Sequence, residues 1–504
     1  MRRLFFGAVT LLIVSGFGVV MSGWSRTSRA GAALAHPNIV FILTDDLDNT
    51  TMPFWKAMPQ TRALMRDRGT DFTNNFATNP LCCPSRATIL TGKYSHNTGV
   101  FDHTPPDGGY STFVRTGAEK DTVATRLHAS GYRTGFMGKY LNGYETESQA
   151  VPVGWDEWFG LSGSFLDGYG YTANHNGKTE TFGSKPADYQ TDVLSREANR
   201  FVDTSEKHDS QPFLLFLSPS APHATIGAAP RDARSPWNKA VPKHFPNYDE
   251  PDVSDKPSWL RLGKPQIGAA GTKSLTKRYR SAMASLLAVD DMVGSLAAKL
   301  RADGEFDNTI FVFTSDNGNS FGAHRIVNKQ VPYEESLRIP LTISGPSIPH
   351  RSVGALVTNN DYTPTVLALA GLDPSDLDGR SLVPLLHGGD GNRRKDFLVE
   401  YRGTTSPPYY VVDTYADVRL YTDYGTPLLG PPSYRALRTK RYLYVQWYSG
   451  AEHEYELYDL HADPYELQNL VPDAAGLQAH AALVGRLQAR VDALAVCSGP
   501  TCHP

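Results

Sequence analysis

The chain has 504 residues, of which 40% are hydrophobic and 20% are charged, and its formal net charge is −3 at pH 7. This composition excludes a disordered or fibrous chain, and the length allows one large domain with a smaller one attached. The low net charge excludes a global field that attracts nucleic acid or anionic membranes, so an anionic substrate needs a local cationic pocket. We therefore expect no nucleic-acid partner and no stable membrane partner.

The N-terminus has the pattern of a secretory signal peptide. Arg2 and Arg3 precede an apolar run over residues 4–21, and Ala33-Leu34-Ala35 fits a cleavage site. This pattern predicts that residues 1–35 are a signal peptide and that the protein is secreted into an extracytoplasmic compartment. The paired arginines also fit a twin-arginine signal. The alternative is an uncleaved membrane anchor, because the run approaches spanning length; no later segment is expected to cross a bilayer.

Four apolar segments are predicted to be β-strands that end in chemically active polar residues. They are residues 38–43, 132–137, 213–217 and 308–313. Near-continuous apolar runs indicate strands buried on both faces of a mostly parallel sheet. Helical patterns at 56–68, 121–130 and 281–302 separate them, which predicts an α/β fold. Because ligands bind beyond the carboxyl ends of such strands, we expect the functional site there.

The pattern of predicted strands and helices changes after about residue 390. We predict a catalytic α/β domain over residues 36–390 and a smaller C-terminal α+β subdomain over residues 391–504. Residues 434–448 and 453–460 fit antiparallel strands, and residues 474–495 fit a helix. Near the end of the chain, Cys497 and Cys502 either close a small disulfide or remain free thiols.

Two adjacent cysteines begin the stretch Leu81-Cys82-Cys83-Pro84-Ser85-Arg86. Pro84 fits the first residue of a helix and Gly92 its stop, which places Cys82 just before a helix N-terminus, where anions are attracted. Arg86 then falls in the first turn, within reach of Cys82. The alternative is a structural cysteine pair buried at a loop–helix junction.

Acidic and amide side chains follow two of the predicted strands. Asp45 and Asp46 come after the first strand, and Asp316 and Asn317 come after the last. They offer only oxygen ligands, which favours Ca²⁺, or else Mg²⁺, over zinc. Taken singly, each motif also fits an ordinary solvated turn.

The motif Cys82-x-Pro84-Ser85-Arg86, followed by Leu90-Thr91-Gly92, resembles the signature of the type I sulfatases. Further matching segments are residues 138–144, 315–318, 332–336, 361–371, 378–382 and 456–470. The stretches 81–97 and 138–142 are most similar to the N-acetylglucosamine-6-sulfatase and endosulfatase branch. The resemblance implies an alkaline-phosphatase-like α/β fold, with a large mostly parallel sheet sandwiched by helices and a C-terminal subdomain containing an antiparallel sheet.

The resemblance also implies an unusual nucleophile. In this family a formylglycine-generating enzyme, a partner during maturation, oxidises the motif cysteine to 3-oxoalanine (formylglycine), whose aldehyde hydrate attacks sulfur. Only Cys82 has Pro two residues and Arg four residues after it, so Cys83 is expected to stay a buried thiol. The implied metal ligands are Asp45, Asp46, Cys82, Asp316 and Asn317.

Four further residues match catalytic positions of the family. The resemblance implies that Arg86 holds the nucleophile or the sulfate group, that Lys139 and Lys329 contact sulfate, and that His223 binds sulfate or protonates the leaving alkoxide. Considered alone, His223 also fits a hydrogen-bonded loop histidine, and each lysine fits a solvated surface position.

One position departs from the family pattern. Many sulfatases carry a histidine two residues after the lysine, where this chain has Leu141. Asn142 is a candidate replacement, and the same Gly-Lys-Tyr-Leu-Asn stretch in the glucosamine-6-sulfatase branch suggests a branch feature. His324, near the second metal motif, is a second-tier candidate and is not expected to be catalytic.

These observations predict a sulfuric ester hydrolase that removes sulfate from a sulfated sugar, of the 6-O-sulfated N-acetylglucosamine type. An arylsulfatase and a phosphonate monoester or phosphodiester hydrolase of the same superfamily are alternatives. An alternative of another class is an inactive exported carbohydrate-binding protein, which predicts that Cys82 is unmodified.

Overall fold

The structure is a computed structural model that describes residues 36–147, 150–208, 211–389, 394–403, 430–449 and 452–503. The signal peptide predicted at residues 1–35 and the domain boundary predicted at residue 390 lie outside the described residues, so both stay predictions. The described residues form one compact unit.

Sixteen β-strands lie within the described residues. They are β1 Asn38–Thr44, β2 Thr70–Phe72, β3 Asn75–Phe76, β4 Arg133–Gly138, β5 Glu157–Ser162, β6 Thr172–His175, β7 Lys178–Thr181, β8 Phe213–Ser218, β9 Thr309–Ser315, β10 Leu341–Ser344, β11 Arg351–Val353, β12 Val357–Thr358, β13 Asp396–Tyr401, β14 Ser433–Thr439, β15 Tyr442–Ser449 and β16 Glu452–Asp459.

Fifteen α-helices lie in the same part of the chain. They are α1 Phe54–Ala57, α2 Pro59–Leu64, α3 Cys82–Thr91, α4 Ser95–Thr98, α5 Gly109–Arg115, α6 Val123–Ala129, α7 Tyr144–Glu147, α8 Gln190–Ser205, α9 Ser258–Gly263, α10 Gly268–Asp303, α11 Glu334–Leu337, α12 Tyr362–Leu369, α13 Val383–Leu386, α14 Ala474–Ala479 and α15 Ala481–Leu494.

Ten strands form the main sheet in the order β11-β2-β10-β9-β1-β8-β4-β5-β6-β7. The central strands β9, β1, β8, β4 and β5 are parallel to one another. Strands β10 and β6 flank them in the antiparallel direction. The four segments predicted from the sequence are β1, β4, β8 and β9, so the mostly parallel sheet is confirmed.

Strand β1 shows how the sheet is covered on both faces. Ile39, Phe41 and Leu43 pack into one buried cluster together with α3, α6 and α12. Val40 and Ile42 pack into a second cluster together with α8 and α10. Burial of each such side chain contributes about 1.5–3 kcal/mol. The result is a sheet between two helical layers, as the apolar runs predict.

The helix boundaries depart from the prediction in three places. The helix predicted at 56–68 is divided into α1 and α2, because Pro59 lacks an amide donor and begins the second helix. The helix predicted at 474–495 is divided at His480. The helix predicted at 281–302 is part of the longer α10, which is apolar and long enough to span a membrane. Because 67% of its most apolar window is buried inside the protein, α10 is a core helix here.

The C-terminal strands β13–β16 form a separate four-stranded antiparallel sheet. One face packs Phe397 and Val399 with Tyr333 of the main body. The other face packs Leu398 with Val491 of α15. The antiparallel sheet predicted for this region is therefore confirmed. Cys497 and Cys502 form a disulfide, which decides between the two alternatives for these thiols.

Candidate active site

The carboxyl ends of the parallel strands β1, β4, β8 and β9 meet at one edge of the main sheet. Asp45 and Asp46 follow β1, Asp316 and Asn317 follow β9, and Lys139 follows β4. Thr44 at the end of β1 lies opposite Ser315 at the end of β9, so the two acidic motifs are neighbours. All five side chains are buried.

Helix α3 brings the cysteine motif to the same edge. The helix begins at Cys82 and ends before Gly92. The φ angle of Gly92 is 71°, a left-handed conformation that glycine adopts with little steric strain. The predicted stop at Gly92 is confirmed, but the predicted start at Pro84 is wrong. Pro84 occupies the third helical position, which tolerates proline because the first-turn amides have no partner within the helix. Cys82 is therefore the first residue of the helix.

Three carboxylates and one thiol converge there. The ligand atoms of Asp45, Asp46, Cys82 and Asp316 lie within 4.8 Å of one another. Asn317 Nδ2 donates to Asp46 Oδ1 at 2.6 Å, whereas Asn317 Oδ1 is buried without a hydrogen-bond partner among the described residues. An unpartnered amide oxygen beside three carboxylates fits a hard divalent cation. The predicted metal ligands are therefore brought together.

The charges in the cluster are strongly coupled. Burial acts to raise the pKa of Asp45, but Lys139 and Arg86 outweigh it and hold that pKa well below its usual value. Burial, reinforced by the charge of Asp45, raises the pKa of Asp316. Burial also raises the pKa of the Cys82 thiol well above its usual value. These surroundings therefore favour the neutral thiol of an unmodified Cys82 over the nucleophilic thiolate.

Two buried lysines neutralise the aspartates. Lys139 Nζ donates to Asp45 Oδ2 at 2.6 Å. Lys329 Nζ donates to Asp46 Oδ1 at 2.6 Å and to Cys82 Sγ at 2.8 Å. Because both lysines are buried, neither is a solvated surface residue. Lys329 directly contacts the thiol at the predicted nucleophile position.

Arg86 connects three of the four strand ends. Its Nε donates to Asp316 Oδ2 at 2.7 Å, and its Nη1 donates to the Lys139 carbonyl at 2.7 Å and to Ser218 Oγ at 2.9 Å. Its Nη2 is buried without a hydrogen-bond partner in the described part of the chain and lies 3.7 Å from Asp45 Oδ2. The Arg86 Nη2 group can therefore still donate hydrogen bonds to a ligand bound at the cluster.

His223 follows β8 and completes the set. Thr225 Oγ1 donates to the Leu166 carbonyl at 2.6 Å, so it accepts from His223 Nδ1 at 2.8 Å. The proton therefore sits on Nδ1, and Nε2 lies 3.7 Å from Asp46 Oδ2. A histidine in this tautomer can accept a proton at Nε2 and donate it to a ligand.

The residues discussed for the missing histidine lie beside the cluster. Leu141 is buried in a hydrophobic cluster of the core. The Asn142 backbone carbonyl lies 4.0 Å from Cys83 Sγ, and Asn142 Oδ1 is buried without a partner among the residues described. Burial raises the pKa of Cys83 to about 12, as expected of an inert thiol. The replacement of the histidine by Asn142 stays a prediction.

Three residues near the cluster had no predicted role. Asn319 Nδ2 lies 3.5 Å from Asp46 Oδ2, Ser85 Oγ donates to the Asp316 carbonyl, and Ser218 Oγ accepts from Arg86. Ser85 belongs to the cysteine motif, and Asn319 stands two residues after Asn317. Their proximity to known motifs is the signal that could have identified them.

Comparison of the sequence with known proteins shows which families it matches. Residues 37–372 match the sulfatase family, and residues 322–494 match the family described as N-sulphoglucosamine sulphohydrolase, C-terminal. N-acetylglucosamine-6-sulfatase of Homo sapiens is 32% identical over 516 residues, which cover 96% of this chain and 89% of that protein.

Two solved structures have the same architecture. One, a protein in complex with its substrate D-glucosamine-2-N,6-O-disulfate, has a TM-score of 0.71 and 25% identity, covering 91% of this chain and 98% of its own. The phosphonate monoester hydrolase of Agrobacterium radiobacter has a TM-score of 0.63 and 20% identity, covering 90% of this chain and 96% of its own, which shows the fold alone. The fold is alkaline-phosphatase-like, and the chain is an enzyme of the sulfatase family.

Proposed function

We propose that this sulfatase removes the 6-O-sulfate group from a glucosamine-type sugar, with Cys82 converted to formylglycine. The observation that carries the proposal is the position of Cys82. Cys82 is the first residue of α3. Its Sγ atom lies 3.5 Å from Asp45 Oδ1 and accepts a hydrogen bond from Lys329 Nζ at 2.8 Å. A helix N-terminus and buried cations around one side chain are what a sulfate ester and an anionic nucleophile require.

The Cys82 Sγ atom stands in for the oxygens of an aldehyde hydrate. When present, such a hydrate supplies one hydroxyl to attack sulfur and a second to expel sulfate. The protein surroundings suit it, because Lys329 donates to this position and Asp45 lies beside it.

The donor set fits a bound Ca²⁺, with Mg²⁺ as the alternative. Asp45, Asp46, Asp316, Asn317 and the modified Cys82 would hold it. When bound, such an ion neutralises negative charge on the nucleophile and the sulfate group. The unpartnered Asn317 Oδ1 supports this assignment.

The other side chains bind sulfate and move a proton. Arg86 and the ammonium groups of Lys139 and Lys329 provide fixed positive charge where the transferring sulfate group gains negative charge. His223 keeps its Nδ1 proton on Thr225, so Nε2 is the atom that takes up a proton and then transfers that proton to the alkoxide of the departing sugar. We infer these roles from the contacts and from the resemblance to the family.

The sugar class rests on the relatives. The human protein is named for N-acetylglucosamine 6-sulfate, and the solved complex contains a 6-O-sulfated glucosamine. We also propose that the protein is secreted, which is supported by the apolar segment over residues 4–21.

The proposal is tested on protein co-expressed with a formylglycine-generating enzyme. Mass spectrometry of the peptide containing Cys82 should show a loss of about 18 Da, as cysteine-to-aldehyde conversion requires. The kcat/KM for N-acetylglucosamine 6-sulfate should exceed those for an aryl sulfate, a phosphonate monoester and a phosphodiester. Faster cleavage of one of these would assign the enzyme to that substrate class instead.

Two variants complete this test. Cys82→Ala should abolish sulfate release, whereas Cys83→Ser, which changes the adjacent thiol, should keep most of the activity. If the protein carries the aldehyde and still releases no sulfate from any of these esters, the proposal is wrong. An unmodified Cys82, together with unchanged sugar binding in Cys82→Ala, would instead favour a carbohydrate-binding protein.

A further inference from the structure

A second buried group of ligand atoms lies outside the site described above. The ligand atoms of His324, Glu335 and Glu466 lie within 4.8 Å of one another, and all three side chains are buried. His324 lies between β9 and α11, Glu335 lies in α11, and Glu466 follows β16. The proposed hydrolysis uses none of them.

The histidine is held in a ligand-like orientation. His324 Nδ1 lies 2.7 Å from Glu250 Oε2, so the proton on Nδ1 is fixed by a carboxylate. His324 Nε2 then faces the cluster, 3.3 Å from Asn247 Nδ2 and 3.7 Å from Glu466 Oε2. A carboxylate behind the imidazole is the usual support of a metal-bound histidine, because it fixes the tautomer and the ring orientation.

Two carboxylate oxygens in the cluster have no donor. Glu335 Oε2 and Glu466 Oε1 are buried without a hydrogen-bond partner among the described residues, and the two side chains are only 5% and 1% exposed. The other oxygen of Glu335 accepts from Asn247 Nδ2 at 2.9 Å. Unpaired buried carboxylate oxygens are costly, and a cation would satisfy both.

The local balance of charged side chains also favours a bound cation. Glu250, Glu335 and Glu466 contribute three carboxylates, whereas Lys256 Nζ, 3.4 Å from Glu250 Oε1, contributes one ammonium group. That ammonium donates to the Glu466 backbone carbonyl at 2.6 Å and to Tyr458 OH at 3.1 Å. A divalent ion with a neutral imidazole would balance the remaining charge.

Neighbouring charged groups are already engaged. Glu334, adjacent to the cluster, is paired with Arg338 at 2.7 Å and with Arg438 at 2.8 Å. Arg325 Nε donates to the backbone carbonyl of Glu250 at 2.8 Å. These groups therefore donate no hydrogen bond to Glu335 Oε2 or to Glu466 Oε1.

We propose that His324 Nε2, Glu335 and Glu466 bind a structural Zn²⁺ ion. An imidazole nitrogen with two carboxylates suits zinc, whereas the oxygen donors of the first site suit calcium. The ligands come from two distant parts of the chain. The ion therefore fastens the segment that carries Lys329, between His324 and Glu335, to the C-terminal subdomain. Without an ion, the competing arrangement is an imidazolium between Glu250 and Glu466.

The test measures metal content and coordination in the full-length protein. Protein stripped with a chelator is dialysed against Ca²⁺ and Zn²⁺, and bound metals are counted by mass spectrometry. We expect one Zn²⁺ per chain, with X-ray absorption at the zinc edge showing one imidazole and otherwise oxygen ligands. Because the first site offers no imidazole among its predicted ligands, this signature identifies the second site.

Glu466→Gln, which keeps the shape of the side chain, should weaken Zn²⁺ binding at least tenfold. The exposed Glu180→Gln is the matched control and should bind zinc as the wild type does. The proposal is overturned if the wild type binds no zinc, if Glu466→Gln binds zinc as tightly, or if the bound zinc has no imidazole ligand. The absorption measurement decides on wild-type protein even if Glu466→Gln does not fold.

Discussion

At the scale of single residues, Arg86 links several of the elements that form the site. Its guanidinium bonds Asp316, the Lys139 carbonyl and Ser218, so it joins the ends of β9, β4 and β8. A planar fork of donors makes these bonds simultaneously, which a lysine cannot do. The positive charge of Arg86 also helps to keep the pKa of Asp45 low.

Arg86→Lys should therefore lower kcat/KM by about 10²–10³, as expected when a fixed donor to a transferring group is lost. It should also reduce the free energy of unfolding by about 1–3 kcal/mol, because buried acceptors lose their donors. Steady-state kinetics and urea unfolding measure the two effects. Arg126→Lys, a change in the surface pairs with Asp121 and Asp376, should alter both by little. Equal losses in the two variants would contradict this role.

The sequence predicts which residues form the cluster but not how they pair. Asp45 and Asp316 are predictable, because each follows an apolar run at the end of a strand. The bond from Lys139 to Asp45 depends on the order β1-β8-β4 in the sheet, which no local pattern encodes. The contact between Asn319 and Asp46 likewise depends on the path of the chain after β9.

At the scale of elements, a close backbone approach fixes the loop after β9. A Cβ atom added to Gly318 would lie 2.0 Å from the Glu335 carbonyl oxygen, and the Gly318 amide donates to the Ser336 carbonyl at 2.9 Å. Only glycine allows α11 to pack this tightly against the metal motif. The glycine of the Asp-Asn-Gly motif thus positions the preceding Asp316 and Asn317.

Gly318→Ala should force this loop away from α11. We expect a loss of about 1–3 kcal/mol or more in unfolding free energy, as in overpacked cores, and a large fall in kcat because Asp316 and Asn317 move. Gly227→Ala is the matched control, since a Cβ there meets nothing within 4 Å. Thermal unfolding and sulfate release measure the outcome. A Gly318→Ala enzyme with wild-type activity would contradict the argument.

Helix boundaries show where local patterns are insufficient. Pro84 is a plausible first helical residue, yet α3 begins two residues earlier because the Ser85 amide bonds the Leu81 carbonyl. That bond forms where Leu81 is fully buried, so tertiary packing extends the helix. This shift decides whether Cys82 lies outside the helix or begins it.

At the scale of the whole molecule, the first metal site joins segments that are far apart in sequence. The proposed ligands come from three regions of the chain, which are Asp45 and Asp46, Cys82, and Asp316 and Asn317. The first and last regions are far apart, since the hydrogen bond from Asn317 to Asp46 joins residues separated by 271 positions. An ion held by all three binds the folded chain and not the unfolded chain. An ion bound at this proposed site would therefore stabilise the molecule as a whole.

Addition of Ca²⁺ to chelator-treated protein should raise the Tm. At a concentration of 100 Kd the gain in unfolding free energy is about 2.7 kcal/mol, which corresponds to about 3 °C for a chain of this size. Differential scanning calorimetry at one scan rate measures the shift, with EGTA as the calcium-free reference. Asp46→Asn should abolish the shift, whereas the exposed Asp67→Asn should retain it. A calcium shift that survives in Asp46→Asn would place the ion elsewhere, because Asp46 contacts Asn317 and Lys329 at the centre of the cluster.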